Sequence, residues 1–144
     1  MRFFFYGSLL DCDVAAIVVG RRLPPWAWRP AVLPGHRRAR AKGVSYPVLV
    51  RDASNEVLGA VVGGFSAVEV NRLAAYEGPR YRIAPLKVRL DGRVTVVSVF
   101  EPMEKAFEPV PGSWELALWQ QRYKRKFVDR IRRAFSAHPA YSRR

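Results

Sequence analysis

Cysteine is almost missing from this chain of 144 residues, with Cys12 the only one. No intramolecular disulfide can form, which fits a reducing compartment. Cys12 lies between Asp11 and Asp13, whose charges disfavour a thiolate, so it reads as a spare thiol rather than a nucleophile. The two histidines, His36 and His138, make no zinc-type spacing with it and read as residues of basic surfaces. Long hydrophobic runs are also lacking. The longest uncharged apolar stretch, Val57 to Ser66, is too short to cross a bilayer. The apolar run behind Arg2 is too short for a signal-peptide core, and no small-residue cleavage site follows it. These absences predict a soluble, cytoplasmic protein.

Acid is scarce as well: 12 Asp+Glu stand against 25 Lys+Arg, a net charge of +13. Such a balance attracts anions of any kind without choosing among them. The basic residues gather at Arg37–Lys42 and from Arg122 through Arg133, with Arg143 and Arg144 beyond. Neither cluster interleaves aromatics with charge as single-strand-binding surfaces do, so both read as solvated faces and nucleic acid is not the expected partner.

Apolar residues are plentiful, at 49 % with 4 Trp, 8 Phe and 6 Tyr, enough for one well-filled core. No linker or repeat divides the chain, so residues 1–144 are expected to form one domain, with a core over about 2–100 and a basic amphipathic helix over about 113–135. Phe3–Tyr6 reads as a buried strand, and Asp11 or Asp13 can cap a short helix that stops near Gly20. Three prolines make residues 21–30 irregular. Ala31–Leu33 reads as a strand fragment ended by Pro34-Gly35, and residues 36–42 as a strand edge or loop. Val44–Arg51 is a strand holding Pro47, Asp52–Asn55 a turn, and Val57–Phe65 a further strand. Ser66 and Glu69 match a capping box opening a helix to about Tyr76, which Gly78 and Pro79 stop. Asp91-Gly92 marks a hairpin between Tyr81–Leu90 and Val94–Phe100. Glu101–Gly112, with its prolines, reads as a loop.

Ser113 is the expected cap of one long final helix, whose stripe of Leu116, Trp119, Tyr123, Phe127, Ile131 and Ala134 or Phe135 recurs at three- and four-residue spacing. A basic amphipathic helix can lie on a membrane, but docking onto the sheet is favoured because Trp119 and Tyr123 supply a cover for one side of it. Strands outnumber helices and one hairpin is antiparallel, which predicts an α+β fold with a mixed sheet or small barrel.

Three features carry possible chemistry. The strand Phe3–Tyr6 stops at Gly7-Ser8 before a helical pattern, an order that aims several backbone N–H groups one way and suits an oxyanion or carboxylate. The same turn also reads as plain architecture, with Gly7 supplying φ freedom. No histidine is placed to activate Ser8 as a nucleophile. Tyr46-Pro47 is an aromatic beside a strand kink. Glu77 falls at a helix C-terminus, where the dipole and burial against Tyr76 and Tyr81 raise a carboxyl pKa toward general-base use. Its alternative is an exposed glutamate paired with Arg80 or Arg82.

Taken in order, Tyr6-Gly7-Ser8-Leu9, Tyr46-Pro47-Val48-Leu49, Gly59 and Tyr76-Glu77-Gly78-Pro79-Arg80-Tyr81-Arg82 resemble the gamma-glutamylcyclotransferase superfamily. The likeness is nearest its bacterial branch, akin to gamma-glutamylamine cyclotransferases and plant avirulence-induced-gene-like proteins. It implies a small mixed β-barrel, or strongly twisted sheet, flanked by helices. It also implies cyclisation of a small gamma-glutamyl amine or peptide to 5-oxoproline with release of the amine and without metal or organic cofactor. Glu77 matches the family's general acid/base, and Tyr6, Gly7, Ser8 and Leu9 match its substrate-holding turn, with Tyr46 and Tyr81 as further substrate contacts. Ala74 stands where many relatives carry an aspartate three residues before the glutamate. A non-catalytic metabolite-binding module of the same fold, or a basic surface protein that binds RNA or anionic membrane, are the alternatives.

Overall fold

The computed structural model describes residues 1–137. Its strands are β1 (Phe3–Phe5), β2 (Arg29–Ala41), β3 (Val48–Val62), β4 (Tyr81–Leu90), β5 (Arg93–Pro102) and β6 (Pro109–Ser113). Its helices are α1 (Cys12–Val19), α2 (Ala67–Glu77), α3 (Leu116–Arg122) and α4 (Lys124–Ala137). Hydrogen-bonded neighbours run β3-β1-β5-β4-β2, and β2 pairs with β3 again, so five strands close into a barrel. Every barrel pairing is antiparallel except β1 with β5. The α+β barrel expected from the strand-rich order is therefore present, with β6 added at the far end of β2. None of the helices among the described residues is long and apolar enough to cross a membrane.

The alternation of β1 distributes its three phenylalanines between two cores. Phe4 points into the barrel with Leu33, Val57, Val88 and Val99. Phe3 and Phe5 point outward, where Val14, Val18, Leu73, Trp119 and Phe127 cover them. Gly59 permits this crossing, since a Cβ there would stand 2.2 Å from the Phe5 carbonyl oxygen and 2.7 Å from the Phe4 ring. At the hairpin, Asp91 (φ 52) and Gly92 (φ 75) take the paired left-handed conformation that such turns favour.

Five expectations are corrected. Val44–Arg51 is not a strand holding Pro47: residues 44–47 are irregular and β3 begins at Val48. Pro34-Gly35 does not end a strand: β2 continues to Ala41 through a bulge, with Gly35 at φ 75. Opposite it, Asp52–Asn55 turns locally, the Asp52 carboxylate accepting from Ser54 and Asn55, yet β3 runs on through it. Glu101–Gly112 is only partly loop, because β5 reaches Pro102 and β6 starts at Pro109 to satisfy the free edge of β2. The final helix is not one rod capped by Ser113. Ser113 ends β6, α3 begins at Leu116, and the helix breaks at Tyr123, which is 46 % exposed rather than packed on the sheet. Trp119, Phe127, Ile131 and Phe135 do form the buried stripe, whereas Ala134 is exposed. His138, Arg143 and Arg144 lie outside the described residues.

The break at Tyr123 places Lys124 between two carboxylates. Its Nζ stands 2.9 Å from Asp11 and 2.7 Å from Asp13. Asp11, rather than Asp13, is the cap of α1: it is 1 % exposed and accepts from the backbone N–H groups of Asp13 and Val14. Gln120 of α3 adds a fourth donor to it at 2.9 Å. Burial pushes the Asp11 carboxyl pKa up, but the bonds from Lys124, Gln120 and Val14 together hold it below its ordinary value. A depressed carboxyl stabilises the folded state above its unfolded pKa and loses that effect as pH falls. Asp11→Ala is expected to cost about 2–4 kcal/mol near pH 7, from the lost cap and the orphaned Lys124. In urea titrations the gap between variant and wild type should close as pH drops below about 4.

Candidate active site

The end of β1, the end of α2, the segment before β3 and one face of α4 converge on a cavity of about 310 Å³. Tyr6, Gly7, Ser8, Leu9, Tyr46, Glu77 and Tyr81, singled out from sequence, all line it. So do Tyr76, Pro47, Phe100, Phe127, Arg130, Ile131 and Phe135.

The strand-to-helix turn is built from several directions. Residues Ser8–Leu10 form one short helical turn, whose first N–H groups have no partners within it. The Tyr6 carbonyl accepts from Arg38 Nη1 at 3.1 Å, and the Arg38 guanidinium lies 5.5 Å from the Trp114 ring centre. Because the Tyr6–Gly7 peptide is trans, pinning that carbonyl aims the Gly7 N–H the opposite way. Gly7 does not take a positive φ; its backbone sits at φ −129 and ψ −134. What it allows is close approach, as a Cβ would meet the Pro47 ring at 3.0 Å. The Tyr6 hydroxyl donates to the Phe100 carbonyl at 2.7 Å, and the Ser8 and Tyr76 hydroxyls share a hydrogen bond of 2.5 Å.

Glu77 is the last residue of α2, and Gly78 leaves the helix at φ 84. The expected alternative of a surface pair does not form. Arg82 holds Glu101 through two bonds of 3.1 and 2.7 Å, and Arg80 lies 3.9 Å over the Phe107 ring while donating to the Ala106 carbonyl. Among the described residues none donates a hydrogen bond to the Glu77 carboxyl. Burial alone pushes its pKa up to about 8. Burial, and then the Glu77 charge, also raises the phenols of Tyr6, Tyr76 and Tyr81, so these remain protonated donors at neutral pH. Among the described residues no cluster of His, Cys, Asp or Glu has metal-holding geometry. His36 sits at the β2 bulge, its Nδ1 donating to the Pro34 carbonyl at 3.0 Å, and Cys12 is exposed.

A family model described as gamma-glutamyl cyclotransferase, AIG2-like, matches residues 3–118. The chain belongs to this family. It is 34 % identical over 132 residues to Protein AIG2 C of Arabidopsis thaliana, covering 90 % of this chain and 78 % of that one. It is similar to a solution structure of another Arabidopsis thaliana protein at 30 % identity and TM-score 0.66, covering 96 % and 84 % of the two chains. A solved gamma-glutamyl cyclotransferase shares the fold at TM-score 0.64 and 15 % identity, over 91 % of this chain and 85 % of that chain. The family's barrel and flanking helices are thus the frame in which this cavity sits.

A carboxyl whose folded pKa is raised stabilises the folded state below its unfolded pKa and loses that effect as pH rises toward the folded value. Glu77→Gln should therefore gain in thermal stability relative to wild type between about pH 4.5 and pH 8. Melting temperatures of both proteins at pH 5 and pH 9 check this, and a constant difference would place the carboxyl in water.

Proposed function

We propose that the chain is an amine-releasing gamma-glutamyl cyclotransferase with Glu77 as its general acid/base. The observation that carries this is that a carboxyl with no hydrogen-bond donor among the described residues and the Gly7–Leu9 turn line the same cavity. A base that exchanges protons near neutrality works best with a pKa near the working pH, and burial brings Glu77 there. Family membership supports the same chemistry.

In this reading the substrate's α-amine attacks its own γ-carbonyl carbon. Glu77 takes a proton from the α-ammonium and returns one to the leaving nitrogen as its bond to that carbon breaks, giving 5-oxoproline and a free amine. Gly7, Ser8 and Leu9 offer backbone N–H groups to substrate oxygens, Tyr46 and Tyr81 supply protonated hydroxyls and ring faces, and Tyr6, whose hydroxyl is held by the Phe100 carbonyl, supplies a ring face. Both reacting groups belong to one molecule, so holding it folded contributes on the order of 7–11 kcal/mol to the rate. Oxyanion donors add roughly 3–4 kcal/mol. No step calls for a metal or organic cofactor.

Purified protein should release 5-oxoproline from gamma-glutamyl amines or dipeptides. Glu77→Gln should fold yet lose about 10²–10⁴ in kcat/KM. Wild-type kcat/KM should climb with pH until the carboxyl ionises near 8. Equal turnover by the two proteins would remove Glu77 from the chemistry.

A further inference from the structure

The cavity has two unlike halves. One holds Glu77, the tyrosine hydroxyls and the backbone turn. The other is the face of α4, where Phe127, Ile131 and Phe135 present apolar surface and Arg130 stands beside them. Tyr76 joins the halves. Its hydroxyl bonds Ser8, and its ring packs edge-on against Phe127 and Phe135 with centres 6.3 Å apart in each case. Cavities of roughly 300–1,000 Å³ hold small organic ligands, so about 310 Å³ accommodates more than a glutamyl unit alone.

Arg130 is the one cation among the described lining residues, and Glu77 the one acid. The Arg130 guanidinium lies 5.1 Å from the Phe127 ring centre, a contact that orients it without neutralising it. Its charge reaches the cavity, since it acts on the phenols of both Tyr46 and Tyr76. With the Glu77 carboxyl raised to about 8, the cavity at neutral pH is apolar with net positive charge toward α4.

Resting on the cyclotransferase reading, we infer that the Phe127–Ile131–Phe135 face of α4 is the subsite for the leaving group, and that Arg130 selects one that carries a carboxylate beside an aliphatic side chain. The turn and Glu77 engage the glutamyl half, which leaves the α4 face to the departing half. An aliphatic side chain buries against that face, and the guanidinium meets a carboxylate in a charge-assisted bond. A cationic leaving group, such as a diamine, meets repulsion there.

Three substrates of similar length separate the terms: gamma-glutamyl-leucine, its decarboxylated counterpart gamma-glutamyl-isoamylamine, and gamma-glutamyl-putrescine. Wild-type kcat/KM should fall in that order. The leucine-to-isoamylamine ratio should be about tenfold or more, the effect of one charge-assisted bond. Arg130→Met changes an exposed side chain, and it should collapse that ratio toward one. If Arg130 instead held the glutamyl carboxylate, both substrates would lose equally and the ratio would persist, which overturns the inference. Preference for the putrescine amide overturns it as well. Wild-type protein that cyclises none of the three defeats the underlying reading, and binding then decides the inference. In that case calorimetry with gamma-glutamyl-leucine should show at least about tenfold weaker binding to Arg130→Met, and equal binding would end the idea.

Discussion

Asp11 is the point on which the helical side of the molecule converges. Its carboxylate closes the first turn of α1, takes a bond from Gln120 of α3 and receives the ammonium of Lys124 at the start of α4. The early helix α1 and the late pair α3 and α4 are thereby held to one buried charge. The position of α4 follows, and with it one wall of the cavity. The arrangement also accounts for the interrupted last helix. A continuous rod through Tyr123 would keep the register of α3, whereas the break lets Lys124 turn toward the two aspartates while Trp119 and Phe127 stay packed edge to face at 5.2 Å.

Two acids in the same protein show how donors decide the fate of a buried carboxyl. Asp11 is deeply enclosed, but four donors meet it, and it stays ionised below the usual range. Glu77 has no donor among the described residues, and burial raises its pKa to about 8. Burial acts in the same direction on both; hydrogen bonding to the charged form makes the difference. The nearby arginines that would have lowered Glu77 are engaged elsewhere, Arg82 by Glu101 and Arg80 by Phe107 and a backbone carbonyl. Keeping those charges occupied is as much a part of the site as the carboxyl itself.

Much of this was legible in the sequence where local chemistry dictates local structure. The capping box at Ser66–Glu69 forms both of its reciprocal bonds, and Asp91-Gly92 makes its hairpin. The seven residues picked from the turn, the tyrosines and Glu77 face one cavity. What escaped depends on pairing between distant segments. Pro34-Gly35 looks terminal in isolation and becomes a bulge only because β3 offers a matching protrusion at Asp52–Asn55. β6 exists because β2 has an edge to fill, a fact invisible in Pro109–Ser113 itself. The stripe of α4 was readable as apolar, but periodicity cannot distinguish a face that fills a core from one that also borders a cavity. Arg38 and Arg130 were lost within basic clusters, since charge counts do not say which cation turns inward.

The hollow is walled by elements from both extremes of the described chain, β1 with its turn at one end and α4 at the other. During synthesis the strands that seal the barrel have all emerged once β5 is out, before α4 leaves the ribosome. A nascent polypeptide at that stage can complete its barrel yet still present an open trough. The cavity is therefore incomplete until α4 has emerged and docked.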